Sequence, residues 1–268
     1  MDKLVGICLS LDGQTLFVAD QKNKCVNLID VNDGTIRQII GRGVIKSPHG
    51  VCISKDGKKL FVSDNNKHYI LVYNIEDGSY LGTLGNGMGE WPGYFRGGIY
   101  DVCISPDGNE LYVTVSLNDC VAVFRISDGL LVRTIECQLP QSICFSPDGQ
   151  EIFVLGYSQN YSRIIRVFRA TDDTFLRTIF LPWPNMHMQS YFIRISHDGE
   201  VIYVSDHDFR GGCVYMFRTS DGTFIQTIGN RGQNPGQFDR PQGICFSRDG
   251  RDLYVTDSRN DRVQVFQI

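Results

Sequence analysis

An Asp-Gly pair returns six times along the chain, as Asp12-Gly13, Asp56-Gly57, Asp107-Gly108, Asp148-Gly149, Asp198-Gly199 and Asp249-Gly250, at intervals of about 41 to 51 residues. Fixed-period self-similarity constrains the fold more than any residue type does, because each copy must bury the same faces against its neighbours. This interval is the length of one propeller blade. The copy at 240–266, RPQGICFSRDGRDLYVTDSRNDRVQVF, is the cleanest.

Within that copy GICFS, LYVTD and VQVF are short β-branched and aromatic runs separated by Gly, Pro, Asp and Asn, the composition of strands joined by turns. Most copies add a fourth run, such as TFIQTIG from Thr223 or LLVRTI from Leu130. In the SPDG and SRDG elements Asp favours the turn start and Gly supplies the positive φ. Asp77-Gly78, Asp128-Gly129 and Asp221-Gly222 repeat this between the third and fourth runs. The expected fold is all-β, a six-bladed β-propeller of four-stranded antiparallel blades. It is read as a single domain over 1–268, with repeats starting near residues 5, 48, 99, 140, 190 and 241. The sixth copy reaches Ile268 after its third run. Blade six is therefore expected to be three-stranded with an open outer edge, which invites strand addition by a partner.

At 268 residues one domain buries roughly three quarters of its unfolded surface, and 42% hydrophobic residues suffice to fill it. The chain has no apolar run long enough to span a bilayer, and its charged start leads into a repeat strand, so the expectation is a cytoplasmic protein without a membrane partner. The nine cysteines follow the repeat: Cys8, Cys52, Cys103, Cys144 and Cys245 share one position on the first strand, where the fifth copy has Arg194. Cys25, Cys120 and Cys213 share a second position. None converges at CxxC-like spacing, which reads as buried thiols in a reducing compartment, with neither disulfide nor metal. The sequon Asn160-Tyr161-Ser162 is too common a pattern to change that reading.

The stretch GNRGQNPGQFDRPQGICFSRDGRDLYVTDSRNDRVQVF, 229–266, closely resembles the NHL repeat in its glycine-spaced loop, Gly-Gln-Phe, Pro-x-Gly-Ile, Asp-Gly turn and Asn-x-Arg-Val. GNGMGEWPGYFRGGIYDVCISPDG from Gly85 repeats the loop more loosely, and the resemblance covers essentially the whole chain. The middle copies also look like the YVTN type of propeller repeat, which implies seven blades; six Asp-Gly units favour the NHL reading. NHL propellers serve as protein-binding platforms, RNA-binding modules, sensor domains and occasionally enzymes. The resemblance thus implies the fold and leaves function to the loops and the channel.

The residue three before each strand cysteine is expected at the channel mouth: Val5, His49, Tyr100, Gln141, Tyr191 and Gln242. A resemblance to the peptide-amidating lyase implies a zinc-holding Pro-His pair in three blades, and only Pro48-His49 matches. A resemblance to the calcium-dependent lactonase propellers implies carboxylates and amides in the channel. This ring has two glutamines and no acid, with Asp101 displaced by one residue to face the wall. Because no nucleophile is paired with a base, no catalytic residue, metal or cofactor is assigned. His49 reads as a packed or hydrogen-bonded channel residue. Asp20, Asp64, Asp206 and Asp257, ending the second strands, read as acceptors of turn N–H groups rather than a carboxylate ring.

Sorted by face, the Asp-Gly turns gather acids, among them Asp107, Asp148 and Asp198, while the opposite loops gather arginines and the aromatics Trp91, Tyr94, Tyr157, Tyr161, Trp183 and Phe209. Arginine beside Trp or Tyr suits interface hot spots and single-stranded RNA alike. Phe95 and Phe238 read as plugs between blades. A pI near 5.7 argues against a broad basic patch, which ranks a protein- or peptide-binding scaffold first, an RNA-binding module second and a propeller hydrolase or lyase third. The expected contacts are Tyr161, Arg163, Trp183, Phe209, Arg210 and Arg240, with His49 and Tyr191 at the channel mouth.

Overall fold

In the first repeat, four short runs become strands Leu4–Leu9, Thr15–Asp20, Cys25–Asp30 and Ile36–Ile40, paired antiparallel in chain order. The computed structural model describes residues 3–85, 95–181, 192–206 and 212–268. Four more sheets of the same order follow, beginning at Pro48, Ile99, Ser142 and Ile193. The sixth sheet has three strands, Pro241–Phe246, Asp252–Asp257 and Arg262–Gln267. Among the described residues no strand pairs with the outer edge of Arg262–Gln267, as the sixth copy led us to expect. The described residues hold one short 3-10 turn, Ser116–Asn118, and no helix long and apolar enough to cross a membrane.

The core lies in the seams between blades. Six clusters of buried apolar side chains each join one sheet to the next, and the sixth brings Leu4, Ile7, Leu16 and Val18 of blade one against Cys245 and Tyr254 of blade six. A twisted four-stranded sheet has no other way to bury both faces, so six equivalent seams close the ring. Phe95 and Phe238 are fully buried in the seams between blades two and three and between blades five and six, the plugging role expected of them.

The first strands form the inner wall, tied together by a recurring hydroxyl. The residue before the strand-ending aspartate, Thr256, accepts the Gly243 N–H at 2.7 Å and donates to the Val5 carbonyl of the next blade at 2.8 Å. Ser63 and Thr114 repeat this, accepting from Gly50 and Asp101 and donating to the carbonyls of Tyr100 and Gln141. At the seams leaving blades six, one and two, the first strands approach so closely that only glycine fits. A Cβ on Gly243 would stand 2.2 Å from the Val5 carbonyl oxygen, and one on Gly6 equally close to that of His49. At the other three seams Asp101, Ser142 and Phe192 occupy that position. Gly243→Ala is expected to cost about 1–3 kcal/mol in urea unfolding, the usual penalty for forcing atoms into a filled interior. An unchanged midpoint would show that the wall yields.

Candidate functional site

Each first strand starts on the face carrying the second-to-third and fourth-to-first connections, and its leading residues ring the mouth of the central channel. His49, Tyr100, Gln141 and Gln242 line a cavity of about 570 Å³ there, joined by Lys3, Asn65 and Arg240. Val5, expected in the same ring, is instead buried in the seam between blades one and two. Tyr191 lies outside the described residues.

His49 is 4% exposed, edge-on to the Tyr100 ring at 5.0 Å and stacked on Phe192 at 5.6 Å. Its Nδ1 lies 2.8 Å from the Tyr100 carbonyl, which can only accept, so Nδ1 carries the proton and donates. Burial pushes the His49 pKa down to about 4, against the opposing pull of that bond and of Asp101, leaving a neutral imidazole at pH 7. The packed, hydrogen-bonded role expected from sequence is the observed one. Phe192 and His49 come from blades five and two, on opposite sides of the ring, and stack on each other across it.

Next in the chain to Tyr100, Asp101 is fully buried. It accepts from the Ser142 hydroxyl at 2.5 Å, the Ile143 N–H at 3.2 Å and Arg194 Nη1 at 3.2 Å. The charge of Arg194 reaches all five repeat-locked thiols, Cys8, Cys52, Cys103, Cys144 and Cys245, which places them around its guanidinium. Desolvation dominates, raising Cys8 and Cys103 to about 12, and thiols held in the neutral form are poor nucleophiles and poor ligands. All nine cysteines are free, and the described residues contain no group of three or more His, Cys, Asp or Glu able to hold a metal ion.

Around the rim, the strand-ending carboxylates serve the backbone. Asp20 accepts from the Asn23 N–H at 2.8 Å, Asp64 from those of Lys46, Ser47 and Lys67 at 2.7–3.1 Å, and Asp257 from that of Asp239 at 2.7 Å. The described cavity lining includes Lys3 and Arg240 and no carboxylate.

A family model, the NHL repeat, matches residues 238–266, the sixth blade with the Phe238 plug at its start, and the six blades close into one ring. The chain is a β-propeller whose sixth blade is an NHL repeat. No curated protein matches it in sequence. Among solved structures it is similar to a chain of the Kuenenia stuttgartiensis hydrazine synthase, with a TM-score of 0.70 and 20% identity over 99% of this chain and 76% of that one. At that identity the likeness is one of fold. With 1322 solved chains matching, a shared fold selects no activity for this propeller.

The structure places the remaining candidates unequally. Tyr161 stands at a loop tip, 61% exposed, with a positive φ of 57°. Arg163 is 3% exposed, at the start of the third strand of blade four, and Tyr157, across from it in the ladder, is equally hidden. Both extend a strand where sequence suggested an open loop. Arg240 is half-buried at the cavity rim, its pKa lowered by burial and by neighbouring Arg259. Trp183, Phe209 and Arg210, like Trp91 and Tyr94, lie outside the described residues. The inter-blade hydroxyls and the cavity residues Lys3 and Asn65 were missed by sequence reasoning. A Ser or Thr in fourth place in LFVSD, LYVTV and LYVTD is the signal that marks the hydroxyls.

Proposed function

We propose that this propeller is a non-enzymatic binding module that captures a protein or peptide on its loop face. The supporting observation is the contrast between its two faces. On the Asp-Gly face all six turns use their aspartate identically: the serine two residues earlier donates to Asp Oδ1 at 2.5–2.7 Å, and the N–H two residues later does so at 3.0–3.2 Å. Those serine bonds hold the turn carboxyls below their usual pKa, so their charge supports the scaffold.

The loop face has the cavity, the exposed Tyr161 and connections that differ from blade to blade, GYSQNYSR from Gly156 being one. Unshared loops on a shared frame are where binding specificity resides. Tyr161, Phe209, Arg210, Trp183 and Tyr191 are the proposed contacts, with His49 and Arg240, which line the cavity. The edge of Arg262–Gln267, which no strand among the described residues covers, offers strand addition as a second mode of contact. Changing Tyr161, Phe209 and Arg210 together to alanine should leave thermal stability within about 0.5 kcal/mol. Capture of a bound protein should weaken about tenfold or more, the effect of losing hot-spot contacts. Capture that is lost on nuclease treatment would favour the RNA-binding alternative.

A further inference from the structure

We infer that the channel-mouth cavity takes the C-terminal residue of a peptide, receiving its free α-carboxylate beside Lys3 and its last amide N–H at Gln141. This rests on the peptide-binding reading above and names the chemical group that the loop face selects.

The cavity, about 570 Å³, is of a size to hold a small ligand, and its lining residue His49 is backed by the stacked Phe192 ring. Its lining has the wrong charge balance for a protein of net charge −4: Lys3 and Arg240 contribute two cations, and the described lining contributes no acid. Of the aspartates of this face, Asp20 and Asp64 are turned onto backbone N–H groups.

The free donors point to an anion. Asn65 Oδ1 accepts the N–H groups of Gly98 at 2.9 Å and Ile99 at 3.2 Å, which fixes the amide and leaves its NH2 for the cavity. Neither the Lys3 ammonium nor the Tyr100 hydroxyl bonds to any described residue, and burial raises the Tyr100 pKa, keeping that hydroxyl a donor.

The acceptor narrows the class. Gln141 Nε2 donates to the Leu139 carbonyl at 3.3 Å and to the Ser116 hydroxyl at 2.9 Å, so its Oε1 is the atom left to accept. A phosphate or sulfate has no N–H to offer it. A peptide terminus presents an N–H and a carboxylate on the two sides of one Cα, and Leu117 and Leu139 give its last side chain an apolar wall.

The test measures fluorescence anisotropy of N-terminally labelled Gly-Gly-Leu-Leu on the full chain, against the same peptide as its C-terminal amide. Two further probes are an amidated peptide carrying one Glu side chain and a single-stranded oligouridylate. The free acid should bind at least tenfold tighter than every other probe. Lys3→Glu should abolish that preference and Lys3→Arg should keep it, both melting with wild type. Equal binding of acid and amide, no binding of the acid at millimolar concentration, or a preference surviving Lys3→Glu overturns the inference, as does tighter binding of the Glu peptide or the oligonucleotide. If the acid preference fails while the Tyr161, Phe209 and Arg210 triple change still abolishes partner capture, the loop-face reading stands and this inference falls.

Discussion

Arg194→Cys, which restores the residue held by the other five repeats, is expected to destabilise the propeller by about 3–5 kcal/mol, the cost of leaving a buried charge without its partner. Asp101 would lose its ion-pair partner while remaining fully buried, and among the described residues the Ser142 hydroxyl and backbone N–H groups would be left to hold its carboxylate. Arg194 does more than balance charge. The same Nη1 donates to the Ile193 carbonyl at 2.7 Å, so the guanidinium ties blade five to blade three across the position held by blade four. Those blades lack the first-strand glycine that lets blades six, one and two pack backbone to backbone. The ion pair and Ser142 fill the space a tight wall would otherwise close. Urea unfolding of Arg194→Cys measures the loss, and the double variant Arg194→Leu with Asp101→Asn should recover part of it by removing the stranded charge. A single variant as stable as wild type would show that water reaches Asp101 from the channel.

Stability should also fall as pH drops from about 6.5 to 4, and His49 is the cause. Its folded pKa, about 4, lies below the ordinary histidine value, so between those pH values the unfolded chain binds a proton that the folded one refuses. The stabilisation is complete above the unfolded pKa and is lost on acidification through this window, about 3 kcal/mol for a shift of this size. The turn aspartates, whose pKa values are lowered from 3.8, act below it. His49→Gln retains a donor for the Tyr100 carbonyl and cannot take up a proton, so its unfolding free energy should be flat across the same range. A slope shared by variant and wild type would assign the titration elsewhere.

Sequence alone reached the blade count, the missing strand and the two phenylalanine plugs, because each is a local pattern repeated at a fixed interval. It marked Arg194 as the exception in the cysteine series and placed Asp101 in the wall, yet it did not join them. They are 93 residues apart, and only ring closure brings blades three and five together. The hydroxyl clasps escaped for the same reason, since the carbonyl that receives each one belongs to the next blade. Arg163 and Tyr157 misled because GYSQNYSR reads as loop, while its ends continue the strands Glu151–Tyr157 and Arg163–Arg169. The cavity needed the ring as well: Lys3, Asn65, Gln141 and Arg240 belong to four different blades and share no motif.

The most direct measurement compares partner capture by two triple variants, one on each face. Substituting Tyr161, Phe209 and Arg210 by alanine should weaken capture tenfold or more, as expected for two hot spots of about 1–2 kcal/mol each. Reversing Asp107, Asp148 and Asp198 to lysine should cost stability through the lost serine and N–H bonds, while capture per folded molecule stays at the wild-type level. Capture that survives the first set and disappears with the second would place function on the Asp-Gly face and contradict the account.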